Sequence, residues 1–213
     1  CGGDSTGSAL VSIGGGNMPI RFIVDNWPGT FLNGNLQNIF PAGNHSIIAR
    51  DVTGCADTVN FNIASPPSIN LNLSVVNVNC NGLNTGAAST NAMGGAGAFN
   101  FAWQACLGGP QQAGSSISGL AAGCYALTVT DGNGCSATQS VTITEPAVVS
   151  YIGSQMPVAC FGGNSGAATV TVSGGVMPYN YLWDNSQTTA TAMGFTAGFH
   201  FVTITDANLC QAT

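Results

Sequence analysis

The sequence predicts an all-β protein built from three tandem β-sandwich repeats of about 80 residues, each with a disulfide. Three observations predict it: one block recurs three times, its apolar residues alternate with period two, and its cysteines fall at repeated spacings. The block is plainest in "HSIIARDVTGC" (45–55), "CYALTVTDGNGC" (124–135) and "HFVTITDANLC" (200–210). A catalytic motif seldom needs three copies in one chain, so the repetition points to a frame.

Along the chain, the units open at Cys1, Cys80 and Cys160, 79 and 80 residues apart. Each opening leads into a glycine-rich stretch and an alternating strand that ends in a double glycine: "GSALVSIGG" (7–15), "GAASTNAMGG" (86–95) and "GAATVTVSGG" (166–175). The next strands are "MPIRFIV" (18–24), "AFNFAW" (98–103) and "MPYNYLW" (177–183), with large apolar residues at every second position. After a variable stretch comes the opening motif, introduced each time by Gly, one residue, then His or Tyr: Gly43 and His45, Gly123 and Tyr125, Gly198 and His200. An aspartate follows six residues later, at Asp51, Asp131 and Asp206.

The first two units end in another alternating strand and a proline, "DTVNFNIASPP" (57–67) and "ATQSVTITEP" (137–146). Proline cannot donate to a ladder, so the strand stops there. The expected domains are therefore 1–66, 67–146 and 147–213. The first lacks the leading strand that "SINLNLSVVNVNC" (68–80) and "AVVSYIGSQMPVAC" (147–160) give the others, and the third lacks a closing strand. About seven short strands per unit, separated by turn signals, indicate an immunoglobulin-like sandwich, and the Gly-x-Tyr/His position resembles a tyrosine corner. The chain reads as a window of something longer, its missing edge strands supplied by the continuing polypeptide or a neighbouring subunit.

Composition narrows the function. Charged residues make up 5% of the chain against about 25% in ordinary soluble proteins, and lysine is absent. With a net charge of −6 and only Arg21 and Arg50 as strong cations, there is no basic patch to neutralise phosphates. Nucleic acid is excluded as a partner. Glycine and polar residues interrupt every hydrophobic stretch, which excludes a helical membrane span. Eight cysteines without a CxxC pair fit disulfides and an oxidising compartment better than zinc.

Within each unit the opening cysteine and the one after the Asp turn lie 54, 55 and 50 residues apart. This spacing predicts Cys1–Cys55, Cys80–Cys135 and Cys160–Cys210. Cys106 and Cys124, without counterparts in the other units, are expected to pair with each other.

The residues that look chemical have structural readings. His45 and His200 would have to start any Ser–His–Asp or metal site, yet Tyr125 occupies their position in the second unit, which makes all three strand-start hydrogen-bonding residues. Asp131 heads "DGNG", part of a calcium loop, but no carboxylate completes the coordination. An aspartate that bonds its own turn explains Asp51, Asp131 and Asp206 together, so no cofactor or metal is expected. Glu145 is the only glutamate and has no partner for glycosidase chemistry; "SIGGGN" (12–17) lacks the lysine of a phosphate loop. Trp103 and Trp183 share one position, with Val24 there in the first unit and Trp27 slightly later; period two turns that position toward the core. An exposed aromatic platform, and with it a carbohydrate-binding module, is the rival reading. No enzyme is expected.

At 160–210, "CFGGNSGAATVTVSGGVMPYNYLWDNSQTT" and the later "AGFHFVTITDANLC" resemble the SprB repeat of large Bacteroidetes cell-surface adhesins. The second unit keeps the frame with Ala98 in place of the proline, and the first departs furthest, in "MPIRFIVDNWPG". The resemblance implies a secreted, extracellular, cell-surface segment of an adhesin or filament, exported by type IX secretion and associated in some species with gliding motility. Its implied partners are neighbouring repeats, filament subunits and surface polysaccharide. Asp4-Ser5-Thr6 and Asp57-Thr58-Val59 resemble Bacteroidetes O-glycan acceptor sequences, making Ser5 and Thr58 candidates.

Overall fold

A computed structural model describes residues 7–25 and 35–213, and among them every regular element is a β-strand. The strands follow the alternation read from the sequence. In the first stretch these are β1 (Gly7–Leu10), β2 (Arg21–Val24), β3 (Asn35–Phe40), β4 (Gly43–Arg50) and β5 (Ala56–Ile63), paired as a two-stranded sheet β1-β3 and a three-stranded sheet β2-β4-β5. The second comprises β6 (Asn70–Val76), β7 (Gly86–Met93), β8 (Asn100–Ala105), β9 (Gln112–Ala113), β10 (Ser116–Leu120), β11 (Gly123–Thr130) and β12 (Ser136–Ile143). Its sheets are β10-β7-β6 and β12-β11-β8-β9. The third has β13 (Ser150–Met156), β14 (Gly166–Ser173), β15 (Asn180–Trp183), β16 (Thr191–Phe195), β17 (Val202–Thr205) and β18 (Gln211–Ala212), in sheets β13-β14-β16 and β15-β17-β18.

This order is immunoglobulin-like. In the third stretch the first, second and fourth strands share one sheet while the third, fifth and sixth share the other, as in the A-B-E and C-F-G sheets of that sandwich. In the second stretch β9 adds an edge strand beside β8. The third stretch does have a closing strand, against expectation: the two residues of β18 pair with β17, Ile204 opposite Ala212 and Thr205 opposite Gln211. A strand this short carries almost no alternation to read.

By contacts the chain forms two compact units, one of Cys1–Asn70, Ala92–Phe99 and Thr130–Ala137, the other of Leu71–Asn91, Asn100–Val129 and Thr138–Thr213. In the first unit, Phe40 of one sheet meets Phe22, Val24 and Ile47 of the other, with Phe61 packed edge-on against Phe40. The second unit buries Val170, Ala192 and Phe195 against Trp183, Val202 and Ile204. It also buries Trp103, Leu127, Val129 and Ile143. Both described tryptophans, 1% and 5% exposed, therefore face the core, as their period-two position requires.

Candidate functional site

The recurring constellation is built around the three aspartates. Asp206 Oδ1 accepts from the amides of Asn208 (2.8 Å) and Cys210 (2.9 Å), closing its own turn, while Asp206 N donates to Cys210 O (3.0 Å). Asp131 repeats the pattern with Asn133 and Cys135, both at 2.9 Å, and Asp51 with Thr53 at 2.9 Å and Cys55 at 3.0 Å. The second oxygen reaches across to the preceding inter-strand loop, taking the amide of Val176 (2.9 Å), Ala96 (2.9 Å) or Asn17 (3.2 Å). Each carboxylate thus joins two loops by charge-assisted bonds. For Asp131, burial pushes the carboxyl up, but the amides of Ala96, Cys135 and Asn133 outweigh it and hold it below the ordinary value. For Asp51 the Thr53 hydroxyl leads the same lowering.

The loop must come close, which explains the double glycine. A Cβ on Gly174 would lie 2.0 Å from Val148 O, and one on Gly175 2.8 Å from Asp206 Oδ2; both glycines have positive φ. Gly94 and Gly95 repeat this against Ser68 O and Asp131. In the first unit the equivalent pair is Gly15 and Gly16, because it is Asn17 whose amide reaches Asp51. The Gly14-Gly15-Gly16 run offers two such pairs, and the fold uses the one a residue later than the sequence alignment at 14–15.

The strand-start residues grip the carbonyl four residues upstream. Tyr125 Oη donates to Ala121 O (3.1 Å), His45 Nε2 to Pro41 O (2.7 Å) and His200 Nε2 to Thr196 O (3.0 Å). Sequence reading missed the histidines' second partners. His45 Nδ1 lies 2.7 Å from Asp25 Oδ2 and His200 Nδ1 2.7 Å from Asp184 Oδ2. Both neighbours of each ring are acceptors, so only the protonated imidazole satisfies both; the Asp bond foremost and the carbonyl second raise both histidines above their ordinary value. The signal was present. Aspartate follows Val24 and Trp183 in the stretches with histidine, and Gln104 follows Trp103 in the stretch with tyrosine.

The cysteines correct the sequence reading. Cys106–Cys124 is bridged, but Cys80 pairs with Cys210 across a separation of 130 residues, rather than with Cys135, and Cys160 and Cys55 are exposed free thiols. Cys135 is also disulfide-bonded. Cys1, Ser5 and Trp27 lie outside the described residues. Spacing could not have distinguished the pairings, because a constant period repeats every separation. Strand polarity does. Cys160 precedes β14 and the Gly174-Gly175 turn follows it; that turn is bonded to Asp206 and so stands beside Cys210. The eight residues of β14 span about 26 Å, far beyond the ~7 Å that a disulfide tolerates between Cα atoms.

Cys210 instead meets the Cys80 turn, with a Cα–Cα distance of 5.6 Å. Asn208 Nδ2 donates to Asn79 O (2.9 Å). The same turn holds the proline-marked linker: Asn81 Nδ2 donates to Pro146 O (3.1 Å), Gly82 N to Glu145 Oε2 (2.7 Å) and Val78 N to Thr144 O (2.9 Å). The lone glutamate caps a turn. Among the described residues, no three His, Cys, Asp or Glu side chains come together as a metal group, and no helix is long and apolar enough to cross a membrane. Chemically, the constellation can lock backbone and linker.

Comparison with known proteins agrees with a repeat. The family model described as the SprB repeat matches at residues 72–105 and 152–188. No curated protein matches the chain. Similar solved structures include one described as the structural basis for Dscam isoform specificity, with TM-score 0.30 and 12% identity over 90% of this chain and 62% of that one. The N-terminal four Ig domains of Dscam1 isoform 6.9 give TM-score 0.28 and 12% identity over 90% and 62%. The N-terminal eight Ig domains of Down Syndrome Cell Adhesion Molecule isoform 1.30.30 give 0.26 and 11% over 88% and 31%. The chain thus spans less than two thirds of each.

Proposed function

We propose, from the two places where the SprB-repeat model matches, that the chain is a non-catalytic structural segment of a long extracellular adhesin or cell-surface filament. One observation carries the reading: Cys80 and Cys210 join adjacent sequence units across the linker at 144–149, so the linker cannot extend without breaking a covalent bond. Closing a loop of 130 residues stabilises by about 5 kcal/mol on chain-entropy grounds. We place the repeats at 1–66, 67–146 and 147–213, in keeping with strand sets at 7–63, 70–143 and 150–212. Type IX secretion, a Bacteroidetes source, gliding, surface polysaccharide as a partner and the absence of any cofactor belong to the same proposal. So does O-glycosylation at Thr58, which is exposed on edge strand β5. Against a carbohydrate-binding module stands the burial of Trp103 and Trp183, which leaves no sugar platform on those rings.

Single-molecule pulling between the chain ends tests the mechanical role. With the Cys80–Cys210 bridge intact, at least about 450 Å of contour, 130 residues at ~3.5 Å each, stays hidden until reductant is added. Equal contour lengths in oxidised and reduced chains would remove the basis of the reading. Antibodies against the chain should also label intact, unpermeabilised cells.

A further inference from the structure

The two free thiols among the described residues sit in turns whose counterparts are bridged. Cys160 stands where Cys80 stands: Gly163 N donates to Cys160 O at 2.9 Å as Leu83 N does to Cys80 O at 3.2 Å. Likewise Ala159 N meets Ser165 Oγ at 2.9 Å as Asn79 N meets Thr85 Oγ1 at 3.1 Å, and Gly162 and Gly82 share a φ of 75°. Cys55 stands where Cys210 stands. Asp51 N donates to Cys55 O at 2.9 Å and Cys55 N to Asp51 Oδ1 at 3.0 Å, against 3.0 and 2.9 Å in the Asp206 turn. One half of each pair is joined as Cys80–Cys210, and the other halves, Cys160 and Cys55, are open.

The surfaces around the open halves match as well. In the joined pair, Asn81 and Leu83 line a cleft with Val149, Gly175, Asp206 and Cys210. The first unit has the corresponding cleft, lined by Ile13, Gly16, Ile20, Asp51 and Cys55. Phe161, at the position of Asn81, has a completely exposed ring, and Ile13 is 44% exposed. Where the joined pair has the polar Asn81, the open half presents an exposed apolar ring.

We propose that the Cys160 turn is a docking site for the Asp51–Cys55 turn of a second copy of this chain, sealed by a Cys160–Cys55 disulfide, with Phe161 entering the Ile13 and Ile20 cleft. The chemistry is thiol–disulfide exchange with a small-molecule disulfide such as oxidised glutathione. The Cys160 thiolate attacks it, forming a mixed disulfide and releasing one glutathione thiolate. Cys55 of the second copy, as thiolate, then attacks the Cys160 sulfur and displaces the second glutathione. Two protein thiols lose two protons and two electrons, and one glutathione disulfide becomes two thiols. The inference uses the repeat equivalence and is independent of what surface the chain binds.

The test is oxidation of the 213-residue chain in a glutathione redox buffer, followed by non-reducing electrophoresis and peptide mapping. A ladder of covalent oligomers containing the Cys55–Cys160 peptide is expected. Cys55→Ser and Cys160→Ser should each remain monomeric alone and form a single covalent dimer when mixed. Phe161→Asn, an exposed substitution, should slow bridging about tenfold, the equivalent of 1.4 kcal/mol, with unchanged reactivity of Cys160 toward a small thiol reagent. Bridges dominated by Cys160–Cys160 or Cys55–Cys55, glutathionylated monomer alone, or bridging at an unchanged rate in Phe161→Asn would overturn the proposal. Failure here would leave the contour-length test of the adhesin reading unaffected.

Discussion

Tyr125 and His200 hold the same backbone position by different chemistry. The tyrosine hydroxyl donates once, to Ala121 O, and needs nothing more. Histidine has two ring nitrogens; one donates to Thr196 O, and the other, once protonated, donates to Asp184 Oδ2 at 2.7 Å. Beside the tyrosine the same position is Gln104, whose amide turns away to Gly109 O (2.9 Å). His45 and Asp25 repeat the histidine arrangement. The unit therefore specifies a matched pair of positions, and a single residue there is uninformative.

What the two regions share should break in both. Asp206→Ala leaves the amides of Val176, Asn208 and Cys210 without their acceptor at a site with 0% exposure, which costs about 3 kcal/mol or more. Asp131→Ala should act in the same direction, since its three amide bonds are the same. Denaturant unfolding of both variants checks this; a near-neutral Asp206→Ala would refute the crosslink. A smaller effect should separate the regions. His200→Tyr alone strands the Asp184 carboxylate, and adding Asp184→Gln should restore most of the lost stability. A double-mutant cycle without coupling would show that the two positions are independent.

Most of this frame was legible in the sequence, because period two, turn residues and repetition all act locally. Phe22, Val24, Trp103, Trp183, Leu127 and Val129 are buried where alternation places them. The Asp turns were legible for the same reason, their bonds closing within four residues. The bridge partners were not, since any periodic chain offers each cysteine several equally spaced mates and only the direction of β14 rejects one of them. The Asp25 and Asp184 partners lie 20 and 16 residues from their histidines, across a strand pair, and become visible only when units are compared two positions at a time.

Titration should sharpen the comparison further. The folded values of His45 and His200 are raised above 6.5, so their contribution is fully present below about pH 6.5 and is lost as pH rises through the folded values. On the acid side Asp25 is lowered from 3.8; burial opposes this, and the His45 and Ser46 bonds outweigh it, so that contribution is lost as pH falls through its folded value. NMR titration should find both imidazoles above the ordinary value, and thermal scans should show stability declining above pH 6.5. Flat stability with ordinary imidazole values would remove the pairs' role.

The smallest stability change is expected from building the histidine pair where the tyrosine now stands. In Tyr125→His with Gln104→Asp, the new ring reaches Ala121 O with one nitrogen and the new carboxylate with the other, as His200 does with Thr196 O and Asp184. One neutral bond is replaced by another plus a charge-assisted bond, and the lost Gln104 bond to Gly109 O lies on the exposed side, where it contributes about 0.5 kcal/mol. The two changes oppose each other, so stability at pH 6 should stay within about 1 kcal/mol of the parent. A third raised imidazole, absent from the parent, should nevertheless appear in the NMR titration. Tyr125→His without Gln104→Asp should give an imidazole lower than the double variant's, because its second nitrogen has no carboxylate to meet. Identical titration in the single and double variants would show that the strand start alone sets the histidine's state and that the residue after the tryptophan is irrelevant.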